Sequence, residues 1–142
     1  HAQVMAGVDE GAKLVLGGVL PKTVGYFYPC TVITGVKKGM VLYHEETFGP
    51  VATIIRAENE REAISIANDT TYGLGAAVFT SDIERGERIA KDYLLAGSCF
   101  VNTFVRSDPR LPFGGIKESG LGRELGFYGI REFVNIKTVY VG

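Results

Sequence analysis

The sequence has no tryptophan, and only two cysteines, two histidines and two methionines. Two cysteines, Cys30 and Cys99, allow at most one bridge, which excludes a disulfide scaffold and suits a reducing compartment. Two histidines, His1 and His44, with no ligand-like spacing to cysteine or carboxylate, exclude a recognisable metal centre. Charge of one sign is lacking too: 15 Lys and Arg balance 16 Asp and Glu without forming blocks. That leaves no electrostatic footprint for nucleic acid or an anionic membrane. No apolar run approaches the roughly 20 residues that span a bilayer, and no charged-then-apolar leader opens the chain. The expectation is a cytoplasmic protein whose partner is a small uncharged or anionic metabolite, with no nucleic acid and no membrane. The chain opens inside a helical pattern, so a larger protein that begins further upstream is expected.

What the chain does have is glycine, 19 of 142 residues, with 46% hydrophobic and 22% charged residues. These values fit one soluble domain, or part of one, with many tight turns. Hydrophobic periodicity predicts a helix over residues 2–12 and strands over 13–18 and 26–33, the latter made an edge or an interrupted strand by Pro29. Sharper signals follow. Residues 51–57 (VATIIRA) read as a buried strand, and residues 59–68 as a helix with Ala63, Ile64, Ile66 and Ala67 on one face. Residues 74–80 and 98–101 read as strands around a helix over 82–94 capped by Ser81 or Asp82. Strands alternating with helices predict an α/β fold, a mainly parallel sheet with flanking helices. Residues 103–124 form a long Gly- and Pro-rich loop, a length more often functional than idle. A short helix near 127–133 and a β-run over 134–141 close the chain.

Few residues offer chemistry. Cys99 lies in an apolar strand and Cys30 in an extended run, and both read as small apolar residues rather than nucleophiles. Segment 44–51 (HEETFGPV) sets paired carboxylates beside an aromatic ring and a Gly-Pro turn. Such a carboxylate can accept hydrogen bonds from a sugar diol, and Phe48 can pack on a flat heteroaromatic ring; solvated acids before a turn are the alternative. Segment 106–110 (RSDPR) sets two guanidiniums and a hydroxyl on one loop, which is suitable chemistry for a substrate carboxylate, although composition alone favours a solvated loop. The glycine cluster over 111–124 lacks both the P-loop ending and the G-x-G-x-x-G spacing, so it is a weak phosphate site.

In their order, EETFGPV (45–51), NDTTYGL (68–74), GSCFVN (97–102), PFGGIKESGLGRE (112–124), Tyr128-Gly129 and Lys137-Thr138-Val139 resemble the aldehyde dehydrogenase superfamily over nearly the whole chain. The resemblance implies NAD or NADP as cofactor, with Glu46 at the nicotinamide ribose and Phe48 against the nicotinamide. It implies a small-molecule aldehyde substrate, with Arg106, Ser107 and Phe113 on the substrate side. Loop 104–110 is most similar to the succinate-semialdehyde dehydrogenase group, where a serine here helps hold the distal carboxylate. The family reaction runs through a cysteine thioester hydrolysed by a glutamate-activated water. The segments bearing that cysteine and glutamate lie upstream of E-x-F-G-P, and neither motif occurs here, so no catalytic residue is expected in this chain. Cys30 departs from the family's usual Pro-Thr step. Residues 1–133 then correspond to the C-terminal portion of the catalytic domain, and 134–142 to an oligomerisation strand making a homo-oligomer, a dimer or tetramer. A truncated, non-catalytic relative that oligomerises or binds is the alternative, and a different Gly-rich α/β oxidoreductase a weaker one.

Overall fold

A computed structural model describes all 142 residues, His1–Gly142. The chain divides into two compact units, His1–Ala63 and Ile64–Gly142.

In the first unit, helix α1 (Ala2–Asp9) leads into strand β1 (Lys13–Leu16), followed by β2 (Thr31–Thr34), the short helix α2 (Val41–His44) and β3 (Val51–Ile54). The strands form a sheet in the order β1-β2-β3. Strand β1 runs antiparallel to β2, with a register shift between Leu14 and Leu16, and β2 runs parallel to β3 from Thr31↔Val51 to Thr34↔Ile54. The core gathers Val4, Ala12, Ile33, Val36 and Leu42. Gly7 is buried, and any Cβ there would run into the Leu42 side chain. Buried Thr31 is fully engaged: its hydroxyl accepts from Gly18 N (3.0 Å) and donates to Pro29 O (2.9 Å).

Of the two outcomes expected for the 26–33 run, an edge or an interrupted strand, the second is found: Pro29 interrupts it as its missing N–H requires, and the surviving strand is central. Helix α2 is new; four residues are too few to show a helical period, and its first amide is held from outside by Glu10 Oε2 (2.8 Å).

Helix α3 (Glu60–Asn68) runs across the division between the units. Its half-buried side chains include Ile64, Ile66 and Asn68, while Ala63 and Ala67 are exposed, so the apolar face is narrower than expected. In the second unit, β4 (Gly75–Val78), helix α4 (Ile83–Asp92) and β5 (Ser98–Val101) make a strand–helix–strand unit with parallel register from Gly75↔Ser98 to Val78↔Val101. Asp82 caps α4, its Oδ1 accepting from Arg85 N (3.0 Å), and Gly86 and Ile89 bury its inner face. The α3 crossover joins no paired strands: β3 takes its parallel partner from β2, and β4 takes its own from β5.

The loop after β5 holds one 3-10 turn, Lys117–Ser119, and a bridge between Phe113 and Glu124; helix α5 (Gly126–Arg131) follows. Residues 134–141 form no strand in this chain. A strand exists only where a second one completes its ladder, and the chain offers none there.

Candidate functional site

The first unit presents the 44–51 segment. Helix α2 ends at His44, Glu45 turns extended, and Phe48 adopts a left-handed φ of 40° that leaves its ring 91% exposed. Gln3 Nε2 donates to Glu45 Oε2 (2.9 Å) and to the Glu46 carbonyl (3.2 Å). Glu45 is thereby occupied, while the Glu46 carboxylate stands exposed. Phe48 lines an open cavity of about 310 Å³ with Gln3, Tyr26, Tyr28 and Thr47. Glu46 lies next to that lining and outside it.

The second unit presents a larger open cavity of about 410 Å³ at the end of β5 and in the loop beyond, walled by Cys99, Phe100, Thr103, Arg106, Asp108 and Phe113. Arg106 and Phe113 are therefore brought together. Ser107 is exposed and is not part of that lining.

The two guanidiniums of the loop are not equivalent. Arg110 forks onto Asp108, Nε to Oδ1 at 2.9 Å and Nη2 to Oδ2 at 2.7 Å, and its amide adds a third bond to Oδ1 (2.9 Å). The Arg110 side chain, then its amide, hold the Asp108 carboxyl well below the usual carboxylate range, against a small opposing effect of desolvation. A depressed carboxyl keeps its charge at neutral pH and loses it only as pH falls through the lowered value, so Arg110 stays occupied over the whole neutral range. Arg106, whose charge also acts on Asp108, makes no such fork and lines the cavity.

Burial pushes the Cys99 thiol up, more than its hydrogen bond with the Ala96 backbone lowers it. That is the opposite of what a nucleophilic thiolate needs. Cys30 is exposed just before β2. No group of histidine, cysteine and carboxylate side chains could hold a metal ion, and no helix is long and apolar enough to cross a membrane.

Sequence reasoning missed what holds the loop. Asn102, at φ 55°, clamps the end of β4: its Oδ1 accepts from Thr80 N and its Nδ2 donates to Thr80 O, both at 2.8 Å. Arg123 Nη1 donates to Gly115 O (2.8 Å) and Gly122 O (2.7 Å). Lys117 and Ser119 fasten the same segment to the residues after α3.

Compared with known proteins, residues 1–139 match the aldehyde dehydrogenase family. The chain belongs to the aldehyde dehydrogenase family. It is 51% identical over 139 residues to a succinate-semialdehyde dehydrogenase [NADP(+)] of Mycobacterium tuberculosis, covering 98% of this chain and 30% of that protein. It is 46% identical over 140 residues to an aldehyde dehydrogenase of Paenarthrobacter nicotinovorans, covering 99% of this chain and 30% of that one. Among solved aldehyde dehydrogenase structures, the succinic semialdehyde dehydrogenase of Streptococcus pyogenes, in complex with NADP+, superposes with a TM-score of 0.94 at 42% identity, covering 99% of this chain and 30% of that one. The chain thus spans about 30% of the length of the curated relatives it matches. The family expected from the ordered motifs is the one found.

Proposed function

We propose that this chain walls the active site of an NAD(P)-dependent aldehyde dehydrogenase whose substrate is succinate semialdehyde. The observation that carries the proposal is the cavity beyond β5, whose lining includes both Arg106, which no carboxylate forks onto, and Phe113. Succinate semialdehyde pairs a carboxylate with a short methylene chain, and this wall offers a partner for each. Arg106 takes the carboxylate through charge-assisted hydrogen bonds, Ser107 adds a hydroxyl from the neighbouring position, and Phe113 covers the methylenes. The likeness to succinate-semialdehyde dehydrogenases supports the same substrate.

The donor set of the 44–51 segment fits NAD(P)+. An exposed carboxylate that Gln3 leaves untouched, Glu46, suits a ribose diol, and the projecting ring of Phe48 suits a flat nicotinamide. The chemistry NAD(P)+ supplies when bound is acceptance of a hydride; overall, aldehyde and water become acid while NAD(P)+ becomes NAD(P)H and a proton is released. In this reading Cys30 and Cys99 take no part, and the thiolate nucleophile comes from another segment of the enzyme. Assembly as a homo-oligomer through 134–142 and a cytoplasmic location belong to the same proposal, the former supported by the exposed apolar residues of that segment.

The test is nucleotide reduction by the protein extended upstream of His1, with succinate semialdehyde and with butanal, which lacks the carboxylate. A hydrogen bond to a charged group is worth roughly 1.5–3 kcal/mol, so Arg106→Ala lowers kcat/KM for succinate semialdehyde about 10- to 100-fold. Butanal turnover stays near its starting value. Equal loss on both substrates removes Arg106 from carboxylate recognition, and activity of the 142-residue chain alone makes one of its two cysteines the nucleophile.

A further inference from the structure

The cavity wall that includes Phe113 is held directly by the backbone bridge to Glu124 and also at a distance. From Phe113 the chain runs through Gly114, Gly115 and Ile116 into the 3-10 turn Lys117–Ser119, and this turn is fastened to the residues that end α3. Lys117 Nζ donates to Asn68 O (3.0 Å) and Thr70 O (2.9 Å). Beside it, Glu118 N donates to Thr71 O (3.0 Å), Ile116 N to Gly73 O (3.0 Å), and Ser119 Oγ accepts from Gly73 N (2.9 Å). Gly73 O also accepts from Gly97 N (2.9 Å), one residue before β5. The loop is thus tied to a corner that is itself tied to the strand flooring the cavity.

Lys117 stands out within this set for two reasons. Its φ of 55° is left-handed, a conformation that a lysine adopts only when its surroundings impose it. Its ammonium lies where the unpaired carbonyls of a helix end collect partial negative charge, so it both satisfies orphan acceptors and opposes the helix dipole. The other ties to this corner are made by backbone or by a short hydroxyl; Lys117 supplies the only charged one there, while Arg123 holds Gly115 O from within the loop.

The geometry points to Lys117 as a positioning residue: by capping the α3 end it fixes the Phe113–Ser119 segment and so sets the Phe113 wall of the aldehyde cavity. This inference rests on the function proposed above, with Phe113 as the substrate-facing group. It does not place Lys117 in contact with substrate.

The variants are Lys117→Met, which keeps the stem and the backbone demand but removes the donors, and Lys117→Arg, which restores them. In the protein extended upstream, Lys117→Met raises KM for succinate semialdehyde severalfold while kcat and KM for NAD(P)+ hold, and Lys117→Arg returns KM toward its starting value. Hydrogen exchange of the amides over 113–119 speeds up in Lys117→Met while β5 and α4 keep their protection, and slows again in Lys117→Arg. If Lys117→Met does not fold, Lys117→Gln, a neutral donor of shorter reach, takes its place in both measurements. Unchanged KM and exchange overturn the inference, as does a uniform fall of all kinetic parameters with faster exchange throughout. Should the unsubstituted protein oxidise no aldehyde, it is the proposed function that fails; exchange over 113–119 then decides alone whether Lys117 sets this segment.

Discussion

Asn102 ends β5 with a side chain that imitates backbone. Its amide group exchanges both hydrogen bonds with Thr80, Asn102 standing one residue past Val101 and Thr80 two past Val78 of the last ladder pair, while its own N–H donates to Val78 O (2.8 Å). The left-handed φ then turns the chain out of the sheet and into the loop of Arg106. Asparagine tolerates that conformation and alanine does not, at a cost of about 1–2 kcal/mol. Asn102→Gly and Asn102→Ala lose the same two side-chain bonds, but only alanine also meets the backbone penalty. Urea unfolding is expected to rank native above Asn102→Gly above Asn102→Ala, with about 1 kcal/mol or more between the last two; equal stability of the two variants would mean the turn is not strained. Arg106 and Phe113 could be singled out from residue type and motif because guanidinium and ring chemistry is visible in a sequence. Lys117 could not, because its partners are carbonyls far away along the chain, and a carbonyl carries no residue signature.

At the level of elements, most helices and strands were legible because each carries a hydrophobic period: α1, α3, α4 and four of the five strands fall within the expected segments, and β2 starts inside its segment and ends one residue past it. What escaped was short or depended on a partner. Helix α2 has too few residues for a period, and the place of β2 in its sheet is decided by which strands flank it, which Pro29 alone does not reveal. The glycine-rich segment was legible as a close approach but not as to what it approaches. Its glycines bring backbone onto backbone: a Cβ on Gly97 would collide with the Gly114 carbonyl, and one on Gly115 would meet Ser119. A carbonyl held in a bonded segment cannot rotate aside as a side chain end can. Gly97→Ala is therefore expected to cost at least the 1–3 kcal/mol typical of overpacking, read as a lower thermal midpoint. Faster hydrogen exchange at Phe113 and Glu124, the bridged pair, should accompany it. A variant as stable as the native chain would show that the two segments part easily, and would weaken the account of the cavity wall built on them.

For the whole molecule, the segment after α5 poses the largest unanswered demand. Val134, Ile136, Val139, Tyr140 and Val141 are all exposed, Ile136 at 81% and Val139 at 75%, and beyond the turn bond from Val134 N to Arg131 O they join no ladder in this chain. Apolar, β-branched residues left exposed outside any ladder are what an added strand needs and what a solitary chain avoids. A second copy meeting it edge to edge, or receiving it into its own sheet, satisfies both the apolar area and the ladder. Such pairing uses the backbone, so it can be separated from simple stickiness by a substitution that changes the backbone while leaving the side chain apolar. Val139→Pro removes one N–H and fixes φ, whereas Val139→Thr keeps shape and N–H while adding a hydroxyl. Sedimentation equilibrium is expected to find the native chain and Val139→Thr associated, and Val139→Pro shifted toward monomer. If Val139→Thr dissociates as fully as Val139→Pro, association is apolar contact without a ladder; if neither variant changes the mass, the segment is not the interface and the exposed faces of the two units must be tested instead.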